Sequence, residues 1–178
     1  MAGKMRETSI VFTGDIGFDR YMAKKWLDEQ LLSREILDFF HSADHVAANV
    51  EGTLIDASDD GTRGVFFHSM DPDAAVFLRK IRADIWCIGN NHTMDAGEAG
   101  IISTQKIAAA EGALTVGAGL DIDGASSPIF IDGAGGIGMI AVAYQAECIP
   151  ATDTEPGIFR WDDMDTIQKR IDEIKAKC

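Results

Sequence analysis

Cysteine is scarce in this chain, and the three present, Cys87, Cys148 and Cys178, form no CxxC pair and no disulfide-framework spacing. A thiolate zinc site and a disulfide-stapled scaffold are therefore not expected, and a reducing compartment fits best. Cys87, inside the run Ile85-Trp86-Cys87-Ile88, reads as a small buried hydrophobe. No apolar run approaches the roughly 20 residues of a membrane span. The basic start Met1 to Arg6 leads into no apolar signal core. The chain as given reads as cytoplasmic, and any anchor of the natural protein lies outside these residues. Positive charge is short too, with 16 Lys and Arg against 29 Asp and Glu, a net charge of -13. Such a surface repels phosphate backbones and anionic headgroups, which argues against nucleic-acid and membrane partners. The glycine clusters Gly117-Ala118-Gly119 and Gly133 to Gly136 complete neither GxGxxG nor a P-loop, and read as turns.

What is present is enough for one sizeable core: 178 residues, 46% of them hydrophobic, predict a single domain over residues 1–178. Ser9 to Thr13 is a short β-branched strand stopped by Gly14, with Asp15 at its C-terminal end. Residues 19–30 and 33–41 carry apolar side chains at helical spacing, the second stretch with Ser33 as N-cap. His45 to Val50 reads as a second strand running into Glu51-Gly52, and Asp56 to Gly64 as a solvated loop. Asp71-Pro72 opens a helix carried to Arg82 by Ala75, Val76, Leu78 and Ile81. Asp84 to Ile88 is an uninterrupted apolar strand of the kind buried on both faces. Glu98 to Glu111 restores the helical period and ends at Gly112. Leu114 to Val116, Pro128 to Ile131 and Ile137 to Ala143 are further strands, the last two as a hairpin. Asp162 to Lys177 is an amphipathic helix with Asp162 and Asp165 set like an acidic capping box. Strands alternating with helices imply a largely parallel sheet whose functional loops lie at the strands' C-terminal ends.

Three such ends deliver Asp15, then Asn49 with Glu51, then Asn91-His92 with Asp95. Carboxylates, amide oxygens and imidazole make a hard-to-borderline set of metal donors. Asp, Asn and Gly are also the ordinary residues of loops and caps, and Asn49 has an alternative as a turn brace. Glu51 is harder to explain as loop chemistry, because a carboxylate directly after an apolar strand needs a partner. Gly89-Asn90-Asn91-His92 is the least loop-like element, since amides and an imidazole at a buried strand end must be satisfied. His41, His45 and His68 have no such surroundings and read as surface or loop histidines.

The segments Thr13-Gly14-Asp15-Ile16-Gly17-Phe18-Asp19-Arg20, Ala43-Asp44 through Ala48-Asn49-Val50-Glu51, and Gly89-Asn90-Asn91-His92-Thr93-Met94-Asp95-Ala96-Gly97 occur in this order. On these motifs the chain resembles the bacterial CapA-type poly-gamma-glutamate (capsule) biosynthesis family, a branch similar to the calcineurin-like metallophosphoesterases. The resemblance runs from about Ser9 to the chain end. It implies an α/β fold, a metallophosphoesterase-like α/β/β/α sandwich with a mainly parallel sheet. It implies that Asp15, Glu51 and Asn91 are metal-ligand positions, Glu51 as a bridge, and that His92 is catalytic. Asn49, Asn90 and Asp95 become supporting positions and Arg20 an anion contact. The cofactors so implied are two divalent metal ions, Mn, Fe or Zn.

Family members continue with His-Trp-Gly-like and Gly-His-His-Pro-His-like motifs that supply further histidine ligands, and neither occurs in this sequence. The expectation is thus the N-terminal half to two-thirds of such a domain, a C-terminally truncated unit with one open sheet edge. Two functions stand open. One is a hydrolase in which paired metal ions activate water against a phosphoester or amide. The other is a non-catalytic component of capsule polymer synthesis or export that binds metal or anionic polymer. The partners implied are a small-molecule or polyanionic polymer substrate and capsule-synthesis proteins.

Overall fold

The computed structural model describes residues 7–56, 67–131, 136–144 and 147–178. Most of the solvated loop expected after Asp56, and most of the turn from Asp132 to Gly136, lie outside the described residues, as does the basic N-terminal stretch.

Four parallel strands form the central sheet in the order β1 (Ile10–Ile16), β2 (His45–Val50), β5 (Ile85–Cys87) and β6 (Leu114–Val116). Between β2 and β5 lies the two-residue parallel pair β3 (Thr53–Leu54) and β4 (Ser69–Met70). The helices α1 (Arg34–Ser42), α2 (Ala75–Lys80) and α3 (Gly97–Ala110) fall between strands, as the alternating pattern requires. Ser33 caps α1 by accepting from Ile36 N–H, and Asp71 caps the turn ahead of α2 with Pro72 in first position. The helical period over residues 19–30 resolves into two 3-10 turns, Arg20–Met22 and Lys25–Leu27, so no α-helix forms there.

The period-2 alternation of β2 explains the layering. Val46, Ala48 and Val50 point to one face, with Trp86 and Ile88, and bury against Phe77 and Leu78 of α2 and Ile101 and Ala108 of α3. Ala47, Ile85 and Val116 point to the other, against the antiparallel hairpin β8 (Ile129–Ile131) and β9 (Ile137–Met139). Outside that hairpin runs α5 (Met164–Lys177), held so close that a Cβ on Gly138 would sit 2.4 Å from Ile174. Helices, parallel sheet, hairpin and helix thus stack in the α/β/β/α sequence expected from the resemblance. The remaining elements, β7 (Ala118–Gly119), α4 (Ile122–Ser126) and β10 (Gly157–Ile158), close the end beyond β6, with β7 antiparallel to β10.

Two details differ from the sequence reading. The cap of α5 is Asp163, which accepts from Thr166 N–H, whereas Asp162 is engaged by the Arg160 guanidinium. His45, grouped in the sequence reading with surface or loop histidines though it starts the second strand, is half-buried. It opens β2, and its Nδ1 lies 2.6 Å from the Asp84 carboxylate at the N-terminal end of the sheet.

The C-terminal ends of β5 and β6 meet backbone to backbone. A Cβ on Gly89 would lie 2.5 Å from the Gly117 carbonyl oxygen, which a side chain cannot share. Gly89→Ala is therefore expected to destabilise the chain by about 1–3 kcal/mol, the range for overpacking a filled site, and calorimetry would read this as a Tm lowered by about 2–4 °C per kcal/mol.

Candidate metal site at the strand ends

One extra residue in β1 sets the first side chain of the site. Phe12 pairs with Ala47, but the next recorded partners are Asp15 and Asn49, so three residues of β1 span two of β2. This bulge at Thr13-Gly14 turns Asp15 rather than Gly14 toward the strand end of β2, the re-aiming that bulges give near functional sites. The Asn49 amide then donates one N–H to Asp15 Oδ1 at 2.7 Å and the other to Glu51 Oε2 at 2.9 Å. A single neutral side chain holds both carboxylates.

The loop after β5 is tied down by two buried polar residues. Asn90, 8% exposed, donates to the Val50 carbonyl at 2.8 Å and to Asn49 Oδ1 at 3.3 Å, and its own Oδ1 accepts from His92 N–H and Gly52 N–H. Thr93, 1% exposed, accepts from Asn90 N–H at 2.9 Å and donates back to the Ile88 carbonyl. Asn90 and Thr93 brace the loop, and Asn91 takes no part in these bonds. Its side chain reaches the cleft wall, and among the described residues its amide has no hydrogen-bond partner.

His92 is oriented by Asp95, three residues on, whose Oδ2 lies 2.8 Å from Nδ1. An ionised carboxylate only accepts, so the Nδ1 of His92 carries the hydrogen, and in the neutral ring the lone pair is the one on Nε2. That Nε2 lies 3.9 Å from Glu51 Oε1. The ring of His92 is in turn covered by that of His68, with centroids 4.0 Å apart and a 50° tilt, and His68 Nδ1 lies 2.8 Å from Asp19 Oδ2. The sequence reads His68 as a surface or loop histidine, and it does lie in the loop before β4, yet it is partly buried against His92. The pairing of Ser69 and Met70 with Thr53 and Leu54 delivers it to the site. Only the polar His68 ahead of the Asp71-Pro72 helix start hinted at it.

An open cleft of about 420 Å³ lies over these strand ends on the hairpin side of the sheet. Its wall includes Asp15, Asn49, Glu51, Asn90 and Asn91, while Phe12 and Tyr144 form an exposed aromatic rim. His92 and Asp95 are not part of that wall; they sit behind Glu51. Arg20 does not line it either and lies 3.7 Å from Asp19 with a left-handed backbone, φ 49°. Cys87, read from sequence as a buried hydrophobe, is half-buried and lines the cleft, its thiol pKa raised by desolvation.

Burial pushes the Glu51 carboxyl above the ordinary carboxylate range, and the charge of Asp15 adds to the rise. The Asn49 hydrogen bond and the two nearby histidines oppose it without reversing it. Excess negative charge thus gathers where water is partly excluded, a setting that favours a cation. The donors fit a hard divalent ion in kind: two carboxylates, an unpartnered amide and an imidazole lone pair. They form an open arrangement. Among the described residues, no group of three or more His, Cys, Asp or Glu draws together closely enough to hold an ion.

A carboxyl whose pKa is higher folded than unfolded contributes stability below the unfolded value and loses it as pH rises through the folded one. At pH 7 the ionised Glu51 therefore strains the metal-free chain. Glu51→Gln, which still accepts from Asn49, is expected to raise its Tm at pH 7 by about 2–4 °C, the shift that ~1 kcal/mol gives at this size, and to leave it unchanged near pH 4. Thermal melts at the two pH values read the difference. A lower Tm at pH 7 would mean that the carboxylate is a net stabiliser.

No curated protein matches the chain. No helix of the described residues is long and apolar enough to cross a membrane. The family model for bacterial capsule synthesis protein PGA_cap matches residues 9–177, covering the bulged first strand, the Asn49 and Glu51 strand end and the Asn90 loop together. On a match of that extent, the chain belongs to the bacterial capsule synthesis protein family PGA_cap.

Proposed function

We propose that the chain carries part of a divalent-metal-dependent hydrolytic site that acts on a capsule polymer or its precursor. The observation that supports this best is the pair of exposed Asp15 and half-buried Glu51, held by one amide beside the His92 imidazole that Asp95 orients. Asp15, Glu51 and Asn91 are the residues that would hold the ion. When bound, it would supply a water of lowered pKa and a Lewis acid for a phosphoryl or carbonyl oxygen.

The chain's own residues have separable tasks. Asn49 keeps the two carboxylates at a fixed spacing and leaves their outer lone pairs toward the cleft. Asn90 and Thr93 hold the loop so that Asn91 presents its amide without a competing partner. Asp95 keeps the hydrogen of His92 on Nδ1, so that Nε2 can take a proton and later return it to a leaving group. With a net charge of -13, a polyanionic substrate would be repelled by the bare cleft, and a bound cation removes that objection.

Two observations favour the second reading, a capsule-assembly component that binds metal or anionic polymer without turnover: His92 stands behind Glu51, outside the cleft wall, and the donors do not close around an ion. The two readings share a binding step and differ in the chemistry. Calorimetric titration with manganese is expected to show binding at millimolar metal or below, weakened at least tenfold by Asp15→Asn. The same preparations, with manganese and either p-nitrophenyl phosphodiesters or γ-glutamyl peptides, are expected to turn over, with kcat lowered about 10²–10⁴-fold by His92→Ala. Binding without turnover would give the accessory reading, and absence of binding at millimolar manganese would remove the metal from both.

A further inference from the structure

We propose that His68 is a positioning residue for His92: it clamps the ring of His92 with Nε2 toward Glu51, through its own ring on one side and its backbone N–H on the other. The inference rests on the reading of His92 as the proton-transfer group.

Two contacts act on the same target by different routes. The imidazole of His68 covers the face of His92 at 4.0 Å between centroids, which restricts rotation of that ring. The backbone N–H of His68 donates to Asp95 Oδ2 at 2.7 Å, the same oxygen that lies 2.8 Å from His92 Nδ1. Asp95 is thereby fixed from outside its own loop, and a fixed acceptor makes a fixed donor. Without the His68 contacts, the His92 and Asp95 side chains would be free to turn together while keeping their mutual hydrogen bond.

His68 is itself anchored. Its Nδ1 lies 2.8 Å from Asp19 Oδ2, a close approach without hydrogen-bond geometry, on the segment following β1. Its carbonyl is packed so tightly on Gly52 that a Cβ there would lie 2.3 Å from the His68 oxygen, and Gly52 has φ +85°, where a side chain would be strained in any case. The chain therefore gives up a side chain directly after Glu51 to let the His68 backbone in. A histidine that only filled space would not need the approach of its Nδ1 to Asp19. Carboxylate partners that set the tautomer and tilt of a working histidine are a recurrent device, and losing one typically costs 10–100-fold in function.

The experiment reads the His92 ring directly by nitrogen-15 NMR of the histidine side chains in the metal-free chain. In the unsubstituted protein a persistent Nδ1–H signal is expected for His92, with ring nitrogen shifts of a single tautomer. In His68→Ala that signal is expected to broaden through exchange with water and the nitrogen shifts to move toward tautomer averaging, while His68→Phe, which keeps a ring over His92, restores most of the original pattern. Backbone amide spectra establish that each variant is folded. Should His68→Ala fail to fold, Asp19→Asn, which releases the His68 ring from its anchor, is expected to shift the His92 signals in the same direction by a smaller amount. Unchanged His92 signals in a folded His68→Ala or Asp19→Asn protein would overturn the proposal. Because the readout needs no metal and no turnover, it stands or falls apart from the hydrolase reading. In a preparation that does turn over substrate, His68→Ala is expected to lower kcat about tenfold and leave KM unchanged.

Discussion

Two amides, half-buried Asn49 and buried Asn90, decide whether this cleft exists. Asn49 and Asn90 form a continuous hydrogen-bonded line from Asp15 across the end of β2 to the loop after β5. Parallel strands leave their C-terminal carbonyls and the following amides without ladder partners, and buried groups of that kind must be paired or destabilise the fold. Here the Asn90 side chain does the pairing, at the Val50 carbonyl and the Gly52 amide. The same bonds that satisfy the backbone also fix where two carboxylates stand, so the stability and the chemistry of the site share one set of contacts.

That sharing accounts for the charge imbalance at Glu51. A carboxylate beside another carboxylate, partly removed from water, is unfavourable on its own. The surrounding network tolerates it because Asn49 donates to both acids and because His92 and His68 stand near enough to lower the field. Local destabilisation at a strand end, compensated by rigid packing behind it, is the pattern functional sites commonly show. Behind it, on the opposite face of the sheet, is a core with Trp86, Ile88 and Ile101 buried.

The parallel sheet and the meeting of three strand ends were legible in sequence because short apolar stretches at β1, β2 and β5 alternate with helical periods and each gives way to polar residues. The hairpin β8–β9 and the caps at Ser33 and Asp71 were legible for similarly local reasons. What was hidden depended on distant partners. The bulge in β1 exists only relative to β2, and Thr13-Gly14 reads the same whether it ends a strand or kinks one. His68 precedes a two-residue strand, too short for any periodicity, and its neighbours in space are distant in sequence. Asp162 and Asp163 are equivalent as caps until Arg160 claims the first. Residues 19–30 carry helical spacing, yet Lys24 takes a left-handed backbone at φ 63°, and local conformation overrides the pattern.

The bulge in β1 also bears on how such a chain can change over generations. Side chains on a strand alternate faces, so the facing of Asp15 is a matter of counting residues from the last regular pair, Phe12 with Ala47. Substitutions within Thr13-Gly14 preserve that count, whereas the loss or gain of one residue there swings the acid to the opposite face while leaving the hydrophobic pattern upstream intact. The first strand of this cleft is therefore more vulnerable to a three-nucleotide indel than to most point changes, and its length is the inherited quantity.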